Sequence, residues 1–380
     1  MFGMKTNHYA TVKVQREAMA WLEQEFPQGI NEIASGEHPK FPLQLEVHPH
    51  HASTSFCTNS CEGCTGGYYR TLPKAQNAGI EPERLVNLID NLAGTPTKRV
   101  VFAGNCTEPL MYPDIVGAIQ HVRNAGLEFC LYSNFYLADR DGVLEAIAST
   151  DAVNDYVRAS LDAGSAEAYN LVHHPTDPDS FTKILRNIER LLELKQTNRP
   201  NLYIHLTYLL SNHNCREEDL QFIVQWAGSH EGIDSIRFTE YQKPLGREMP
   251  ASAKIPEEKL HKTFEFLKRL KSKLERQDFK IRVIEGDIIT TQLIKQFTRC
   301  YVQEALAVIG FDGELYPCTA MAYPDSLPIY RFGNIDLKDF WDLWLDKERL
   351  PRLHFPLDKC YDCTRTEFEI NAGLHKLISR

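Results

Sequence analysis

Short apolar runs alternate along this chain with longer stretches in which apolar residues recur at the spacing of a helix. The short runs predict strands, and the longer stretches predict amphipathic helices. Each helical stretch is long enough to connect two parallel strands by a crossover, so the order predicts an α/β fold built on βαβ units. The six predicted strands cover 43–48, 98–103, 127–132, 155–161, 202–208 and 235–240.

Polar residues alternate with apolar residues inside several of these strands. In the fourth strand, Val157 and Ala159 alternate with Arg158 and Ser160. A barrel with a fully packed interior has continuous apolar strands instead. The pattern therefore predicts either a partial barrel around a polar ligand chamber or an open sheet with one solvated face. The residues that would line the chamber are Glu46, His48, Tyr132, Asn134, Arg158, Ser160, His205, Thr207, Arg237 and Thr239.

The chain divides into four parts by the character of its sequence. An N-terminal extension covers 1–42, and the strands and helices of the barrel cover 43–245. A charged helical linker covers 246–290, and the remaining 291–380 is rich in loops, aromatic residues and cysteines. We therefore expect a barrel followed by a small C-terminal domain of a different kind.

Composition narrows the functional classes. The 380 residues include 42 basic and 51 acidic side chains, for a net charge of -9, which argues against a broad contact with nucleic acid. No apolar stretch reaches the length of a membrane span, and the N-terminus lacks the pattern of a secretory signal. We therefore expect a cytoplasmic protein without nucleic-acid or membrane partners. In that reducing compartment, the ten cysteines are expected to serve in metal binding or redox chemistry rather than in disulfides.

Three cysteines lie close together directly after the first predicted strand. Cys57, Cys61 and Cys64 are separated by three and then two residues, and glycines lie among and after them. Three thiolates on one loop can bind three irons of a cubane iron-sulfur cluster and leave the fourth iron open to another ligand. A zinc site with a nearby histidine is the alternative, although zinc ligands more often come as Cys-x2-Cys pairs.

This motif resembles the signature of radical S-adenosylmethionine (SAM) enzymes. The resemblance implies a partial (β/α)6 TIM-like barrel, a [4Fe-4S] cluster with one open iron, and SAM bound to that iron. It also implies reductive cleavage of SAM to a 5'-deoxyadenosyl radical, which removes a hydrogen atom from a substrate. The family often has an aromatic residue before the third cysteine, but this chain has Gly63 there, so adenine contacts are expected elsewhere, with Tyr68 and Tyr69 as candidates.

Later strand ends carry residues that the same resemblance assigns to SAM. A segment with glycine and glutamate after the second strand resembles the one that receives the SAM amino group. Polar residues of the third and fourth strands resemble contacts to the ribose and carboxylate, and an asparagine after the fifth resembles a contact at the adenosyl end. The implied residues are Gly104, Asn105, Glu108, Ser133, Asn134, Arg158, Ser160, Asp162 and Asn212. Taken singly, most of them are also ordinary hydrogen-bonding residues at strand ends.

A second set of cysteines lies in the C-terminal part. An Asp312-Gly313 turn predicts a hairpin that brings two of these cysteines toward one site. The set comprises Cys300, Cys318, Cys360 and Cys363. It resembles the twitch or SPASM modules that hold auxiliary clusters, as in the radical SAM dehydrogenase of 2-deoxy-scyllo-inosamine. Four thiolates predict one fully ligated [4Fe-4S] cluster, and a four-cysteine zinc site is the alternative.

The expected function is that of a two-cluster radical SAM oxidoreductase or epimerase. We expect a small polar substrate of the aminocyclitol, sugar or nucleoside type, and a flavodoxin or ferredoxin as reductant. An acidic chain without a leader-binding extension argues against capture of a precursor peptide, so a peptide maturase is the second interpretation. A non-catalytic zinc scaffold is the interpretation from another class.

Four further residues are candidates for contact with the substrate. Cys106 and Cys130 lie at or near strand ends and could donate a hydrogen atom to a substrate radical, although most lone cysteines are small buried apolar residues. Arg237 and Glu240 of the sixth strand could bind the substrate or form a structural ion pair.

Overall fold

The computed structural model describes residues 14–64, 66–67, 71, 78–198, 201–241, 250–285, 297–323, 328–347, 349, 363 and 365–379. Cys360, Tyr68 and Tyr69 lie outside the described residues. All six predicted strands are present, each within two residues of its expected bounds. They are β1 Gln44–Val47, β2 Arg99–Phe102, β3 Glu128–Ser133, β4 Tyr156–Ser160, β5 Tyr203–Leu210 and β6 Ser235–Glu240.

Three more strands extend the sheet at its two ends. They are β7 Lys280–Ile284, β8 Leu306–Ile309 and β9 Leu315–Tyr316. Among the described residues the order is β7-β6-β5-β4-β3-β2-β1-β8-β9. Every neighbouring pair is parallel except β8 and β9, which form the predicted hairpin. The fold is therefore the expected partial barrel, with β7 as an addition that the pattern did not predict.

Helices connect most of the parallel strands. They are α1 Val14–Glu25, α2 Pro27–Ala34, α3 Pro82–Asp90, α4 Ile115–Asn124, α5 Val143–Ser149, α6 Ala166–His173, α7 Ser180–Asn198, α8 Glu217–Ser229, α9 Glu257–Leu274, α10 Val302–Ala305, α11 Phe340–Trp344 and α12 Arg365–Ile378. The start of α6 shows how local sequence sets a boundary, because the Ser165 hydroxyl accepts a hydrogen bond from the Ala168 N–H at 3.2 Å. Within the described residues, none of the helices combines the length and apolar character needed to cross a membrane.

Two apolar cores hold these elements together. The larger core lies between the helices and one face of the sheet, where Phe129 and Leu206 are fully buried. The smaller core packs α1 and α2 against α12 and the start of the C-terminal segment, through residues such as Leu22 and Leu374. The N-terminal helices therefore contribute to the same core as Cys300.

The other face of the sheet is also buried; it is apolar around Val101 and Cys130 and polar on β1 and β4 to β6. Six of its polar residues are at most 9% exposed, so this face lines the interior of the barrel, called the chamber below, rather than a solvated surface. They are Glu46, His48, His205, Thr207, Arg237 and Thr239. Tyr132, Arg158 and Ser160 on the same face are half-buried.

Candidate functional site

The loop after β1 carries the first three cysteines and is held against α6. The Ser60 N–H donates to the His173 carbonyl at 2.9 Å, and the Asn59 amide donates to the Tyr169 hydroxyl at 3.1 Å. Hydrogen bonds from the backbone and from side chains thus fix a loop that has no regular structure of its own. The loop therefore has a set position at the carboxyl end of the strands, where α/β barrels place their active sites.

Each of the three half-buried thiols meets a different element at the mouth of the barrel. The Asn134 amide donates to the Cys57 sulfur at 3.6 Å, and His173 Nδ1 lies 3.1 Å from the Cys61 sulfur. The Cys64 thiol donates to the Asn105 carbonyl at 3.5 Å. The three sulfurs therefore lie beside residues that follow β2 and β3 and beside the last residue of α6.

The donor set fits a cubane cluster. In the described part of the chain, no three His, Cys, Asp or Glu side chains converge on a point that one metal ion could occupy. A cubane does not require that convergence, because each thiolate binds a different iron at a separate corner. Gly67 leaves room beside the loop, since a Cβ there would lie 3.0 Å from the Cβ of Cys64.

Gly63 lies directly beneath an aromatic ring. A Cβ at this position would overlap the ring of Tyr241, which follows β6. Tyr241 is anchored by its N–H, which donates to the Leu210 carbonyl at 2.9 Å. Residue 63, before the third cysteine, has no side chain, and the aromatic ring of Tyr241 lies beside this cysteine instead.

Glu108 brings three of the predicted SAM contacts together. Its carboxylate accepts hydrogen bonds from the Ser133 hydroxyl at 2.5 Å, the Asn134 N–H at 2.8 Å and the Leu110 N–H at 3.1 Å. Glu108 is 3% exposed. Charge-assisted bonds to a buried carboxylate fix the ends of β2 and β3 relative to each other. Asn134 then reaches Cys57, so this network continues to the cysteine loop.

Gly104 and Asn105 shape the turn after β2. A Cβ at Gly104 would overlap the Thr107 carbonyl, so the tight turn requires glycine there. Asn105 contacts two distant parts of the chain: its carbonyl accepts from the Gly66 N–H at 3.0 Å, and its amide donates to the Thr319 carbonyl at 2.7 Å. Thr319 follows Cys318 directly, so Asn105 connects the two cysteine regions.

The residues at the end of β4 lie on the inner face of the sheet or close to it. The Arg158 guanidinium stacks on the Tyr132 ring at 4.7 Å, and the Thr207 hydroxyl lies 3.5 Å from the Ser160 hydroxyl. Asp162 accepts a hydrogen bond from the Leu209 N–H at 2.7 Å. Burial raises the pKa of Asp162 to about 7, against the opposing effects of the Leu209 N–H and of nearby arginines.

Asn212 is not brought together with the other predicted SAM contacts. Its side chain is exposed and accepts from Lys259 of α9 at 2.9 Å. The neighbouring Asn214 is buried instead, and its amide donates to the Asp162 carbonyl at 2.7 Å.

The four predicted substrate-contacting residues occupy different environments. Cys106 packs with Phe56 and Phe311 beside the cysteine loop, whereas Cys130 lies deeper, in an apolar cluster on the inner face of β3. Burial raises the pKa of the Cys130 thiol. Strand alternation places Arg237 on the inner face of β6 and Glu240 on the outer face, so these two do not meet inside the chamber.

Three of the C-terminal cysteines lie near one another. Cys300 and Cys318 flank the β8–β9 hairpin, as predicted, and Cys363 packs against the same core. Burial raises the pKa of the Cys318 thiol, and the negative charges of Glu367, Cys300 and Cys363 add to this effect. Cys360, the fourth predicted ligand, lies outside the described residues.

Residues that the pattern did not single out also contribute to the site. His173 contacts Cys61, Thr319 meets both Asn105 and Glu46, and Arg282 of β7 lies on the inner face of the sheet. The contacts of His173 and Thr319 join residues more than a hundred positions apart, and Arg282 belongs to the strand that was not predicted.

Comparison with known proteins assigns the family. The radical SAM superfamily matches residues 52–223, and an iron-sulfur cluster-binding SPASM domain matches residues 300–364. The chain therefore contains a radical SAM domain and a SPASM domain. Its cofactors are therefore SAM and [4Fe-4S] clusters, one in the radical SAM domain and further iron-sulfur in the SPASM domain. These matches favour iron-sulfur clusters over zinc at both cysteine sets.

Solved structures support the fold assignment. Streptococcus suis SuiB bound to S-adenosylmethionine is 15% identical, with 90% of this chain and 78% of that chain covered at a TM-score of 0.62. SuiB bound to precursor peptide SuiA is 15% identical, with 89% and 70% covered at a TM-score of 0.58. BtrN in complex with AdoMet and 2-DOIA gives a TM-score of only 0.31 at 12% identity, covering 83% and 86%. The search of curated protein sequences found no significant match.

Proposed function

We propose that this radical SAM enzyme cleaves SAM at the first cluster, removes a hydrogen atom from a small polar substrate, and oxidises or epimerises it. The observation that carries the proposal is that the cysteine loop and the Glu108 network meet at the end of a barrel whose interior carries buried polar side chains. The bound cluster and SAM supply the adenosyl radical, as a cofactor-based mechanism requires. The protein residues bind, orient and exclude water.

We assign the first cluster to Cys57, Cys61 and Cys64. Their thiols already contact polar groups of three neighbouring elements, which hold the loop over the chamber. Glu108, with Ser133 and Asn134 bound to it, is placed to receive the amino group of SAM. The ring of Tyr241, which lies against Gly63, offers a stacking surface for the adenine.

We assign one auxiliary cluster to Cys300, Cys318, Cys360 and Cys363. Four thiolates leave no open iron, which favours electron transfer over direct binding of substrate. Asn105 supports this role because it contacts both cysteine regions. Its side-chain amide donates to the carbonyl of Thr319, which follows Cys318, and its own backbone carbonyl accepts from the Cys64 thiol. A flavodoxin or ferredoxin as reductant, a cytoplasmic location and the domain limits 43–245 and 291–380 stay predictions from the sequence.

A peptide maturase is the second candidate function. Its support is the fold likeness to SuiB, whose structure was also determined with the precursor peptide SuiA. At 15% identity this likeness concerns the fold and not the substrate. A precursor peptide encoded beside this protein would favour the maturase.

The test is SAM cleavage by the anaerobically reconstituted protein. We expect about eight irons per chain and formation of 5'-deoxyadenosine with a strong reductant. Cys57→Ala should abolish cleavage, whereas Cys318→Ala should lower the iron content to about four while the first cluster still cleaves SAM. Deuterium transfer from labelled candidate substrates into 5'-deoxyadenosine would identify the abstracted hydrogen. A fully iron-loaded protein that cleaves no SAM would contradict the proposal.

A further inference from the structure

Three arginines lie on the inner face of the sheet, on β4, β6 and β7. Arg237 is directly opposite Arg282 in the parallel register of β6 and β7. Arg158 is opposite His205 of β5. Thr207, two residues further along β5, is opposite Arg237. Side chains in register on neighbouring strands point to the same face. The three guanidinium groups therefore share one region of the chamber.

These arginines are poorly compensated by the protein itself. Among the described residues, the Nε atoms of Arg158, Arg237 and Arg282 have no hydrogen-bond partner. Arg237 is only 9% exposed. Like charges on directly opposite strand positions repel, and an unpaired buried charge is costly.

The pKa values of the chamber show the same excess of positive charge. The pKa of Arg237 is lowered to about 9, first by burial and then by the charge of Arg158, with Arg282 acting in the same direction and Tyr132 and Asp162 opposing it. Burial also lowers the pKa of His205, with the three arginines acting in the same direction.

The acidic groups nearby offer little compensation. Burial raises the pKa of Asp162 to about 7, so this carboxyl is a weaker source of negative charge near neutral pH than an exposed aspartate. Glu46 is engaged by His48 at 2.8 Å and by the Thr319 hydroxyl at 2.8 Å. Arg282 also interacts with the Tyr203 hydroxyl, which is a neutral partner. The chamber therefore has a net positive charge that a ligand can neutralise.

Further unpaired polar atoms face the same space. His205 Nε2 and the Thr239 hydroxyl are buried and lack hydrogen-bond partners within the described part of the chain. Burying such groups without partners costs free energy unless a ligand satisfies them. Together with the arginines they form a site that offers a ligand both positive charge and directional hydrogen bonds.

We infer that the substrate carries an anionic oxygen group, a carboxylate or a phosphate, which Arg237 and Arg282 bind inside the barrel. The planar fork of arginine matches both groups in a bidentate manner. This inference rests on the proposed function, because it takes the chamber as the substrate site. It narrows the substrate from the neutral or cationic metabolites first expected, such as a free aminocyclitol, to a sugar acid, a phosphorylated sugar or a nucleotide.

The test uses reconstituted holoenzyme saturated with S-adenosylhomocysteine, which occupies the SAM site and leaves the substrate site free. Binding of inorganic phosphate and of malonate is measured by calorimetry in wild type and variants. We expect saturable binding of at least one probe, and the tighter probe identifies the class of anion. Arg237→Gln should weaken that binding about tenfold or more, because removal of one partner of a buried charge pair is costly. Arg237→Lys should retain part of the affinity.

Arg269→Gln is the matched control, because Arg269 is an exposed arginine on α9. Arg282→Gln is the second variant and decides the question if circular dichroism shows that Arg237→Gln does not fold. Equal affinity in wild type and the folded variants, or no saturable binding of either probe, would overturn the inference. SAM cleavage is assayed on the same wild-type protein. Cleavage without anion binding contradicts this inference alone, and arginine-dependent anion binding without cleavage contradicts the proposed function alone.

Discussion

Glu108 organises its surroundings as a single buried acceptor with three donors, two from backbone N–H groups and one from the Ser133 hydroxyl. Glu108→Gln replaces one carboxylate oxygen with an NH2 group, which cannot accept from these donors. We expect a loss of about 1–3 kcal/mol in the free energy of unfolding, because a buried donor is left unsatisfied. Chemical denaturation of the iron-free protein measures it, together with a weaker affinity for SAM in the holoenzyme.

Glu83→Gln on the exposed first turn of α3 is the control for Glu108→Gln. It should leave both the stability and the SAM affinity unchanged. A Glu108→Gln protein as stable as wild type would show that the carboxylate is not required to join the ends of β2 and β3.

Gly63 is a position at which a single added atom, a Cβ, would displace a neighbouring side chain. Gly63→Ala adds a Cβ where the Tyr241 ring lies, so the ring has to move. We expect a lower affinity for SAM with unchanged iron content, measured by equilibrium binding and iron analysis of the reconstituted protein. Gly228→Ala is the matched control, because its Cβ would meet the Phe279 ring at an ordinary distance of 3.4 Å. Unchanged SAM affinity in Gly63→Ala would contradict the assignment of Tyr241 to the adenine.

At the scale of elements, the helices α1 and α2 stabilise the cluster-binding C-terminal part. Leu22 of α1 is fully buried in the core that contains Cys300. Leu22→Ala should cost about 2–5 kcal/mol through lost contacts and a cavity. We expect the variant to lose auxiliary-cluster iron first, so that iron analysis falls toward about four per chain while SAM cleavage persists.

Leu377→Ala is the control for this core, because Leu377 lies on α12 but is 38% exposed. It should retain wild-type stability and iron content. If Leu22→Ala instead lost SAM cleavage before auxiliary iron, α1 would support the barrel rather than the C-terminal part.

The elements also show what sequence reasoning can and cannot reach. The strands β1 to β6 follow from alternating polar and apolar residues, since that period is local. The short strand β7 follows a charged helix and was included in a helical linker, and the pairing of β8 with β1 joins segments over 250 positions apart. Contacts such as His173 with Cys61 depend on that three-dimensional arrangement and have no local signal.

The candidate site likewise contains residues that the sequence predicted and residues that only the structure revealed. The cysteines, Glu108, Ser133 and Asn134 were named from the sequence because their order along the chain resembles a family motif, whereas the hydrogen bonds that join the last three were not predicted. Asn212 was predicted by position after β5, but the turn directs it to Lys259 and places Asn214 inside. The excess of positive charge became visible only when β7 placed Arg282 beside Arg237.

At the scale of the whole molecule, the barrel and the C-terminal segment share a sheet and a buried polar contact. β8 pairs with β1 along its length, and the Thr319 hydroxyl donates to Glu46 at 2.8 Å. Because both connections cross between the two parts, we expect the barrel and the C-terminal segment to unfold together.

Thr319→Val tests this coupling, because it removes the hydroxyl that donates to the buried Glu46 and keeps a similar shape. The loss should be about 1–3 kcal/mol, since hydrogen bonds to charged groups are the stronger ones. Thr319→Ser keeps the donor and should lie close to wild type. Far-UV circular dichroism and the visible absorption of the clusters are followed together during anaerobic denaturation. We expect both signals to shift to the same extent in Thr319→Val, because the barrel and the cluster-binding segment share one sheet. A shift in the cluster absorption alone would show instead that the C-terminal segment unfolds independently of the barrel.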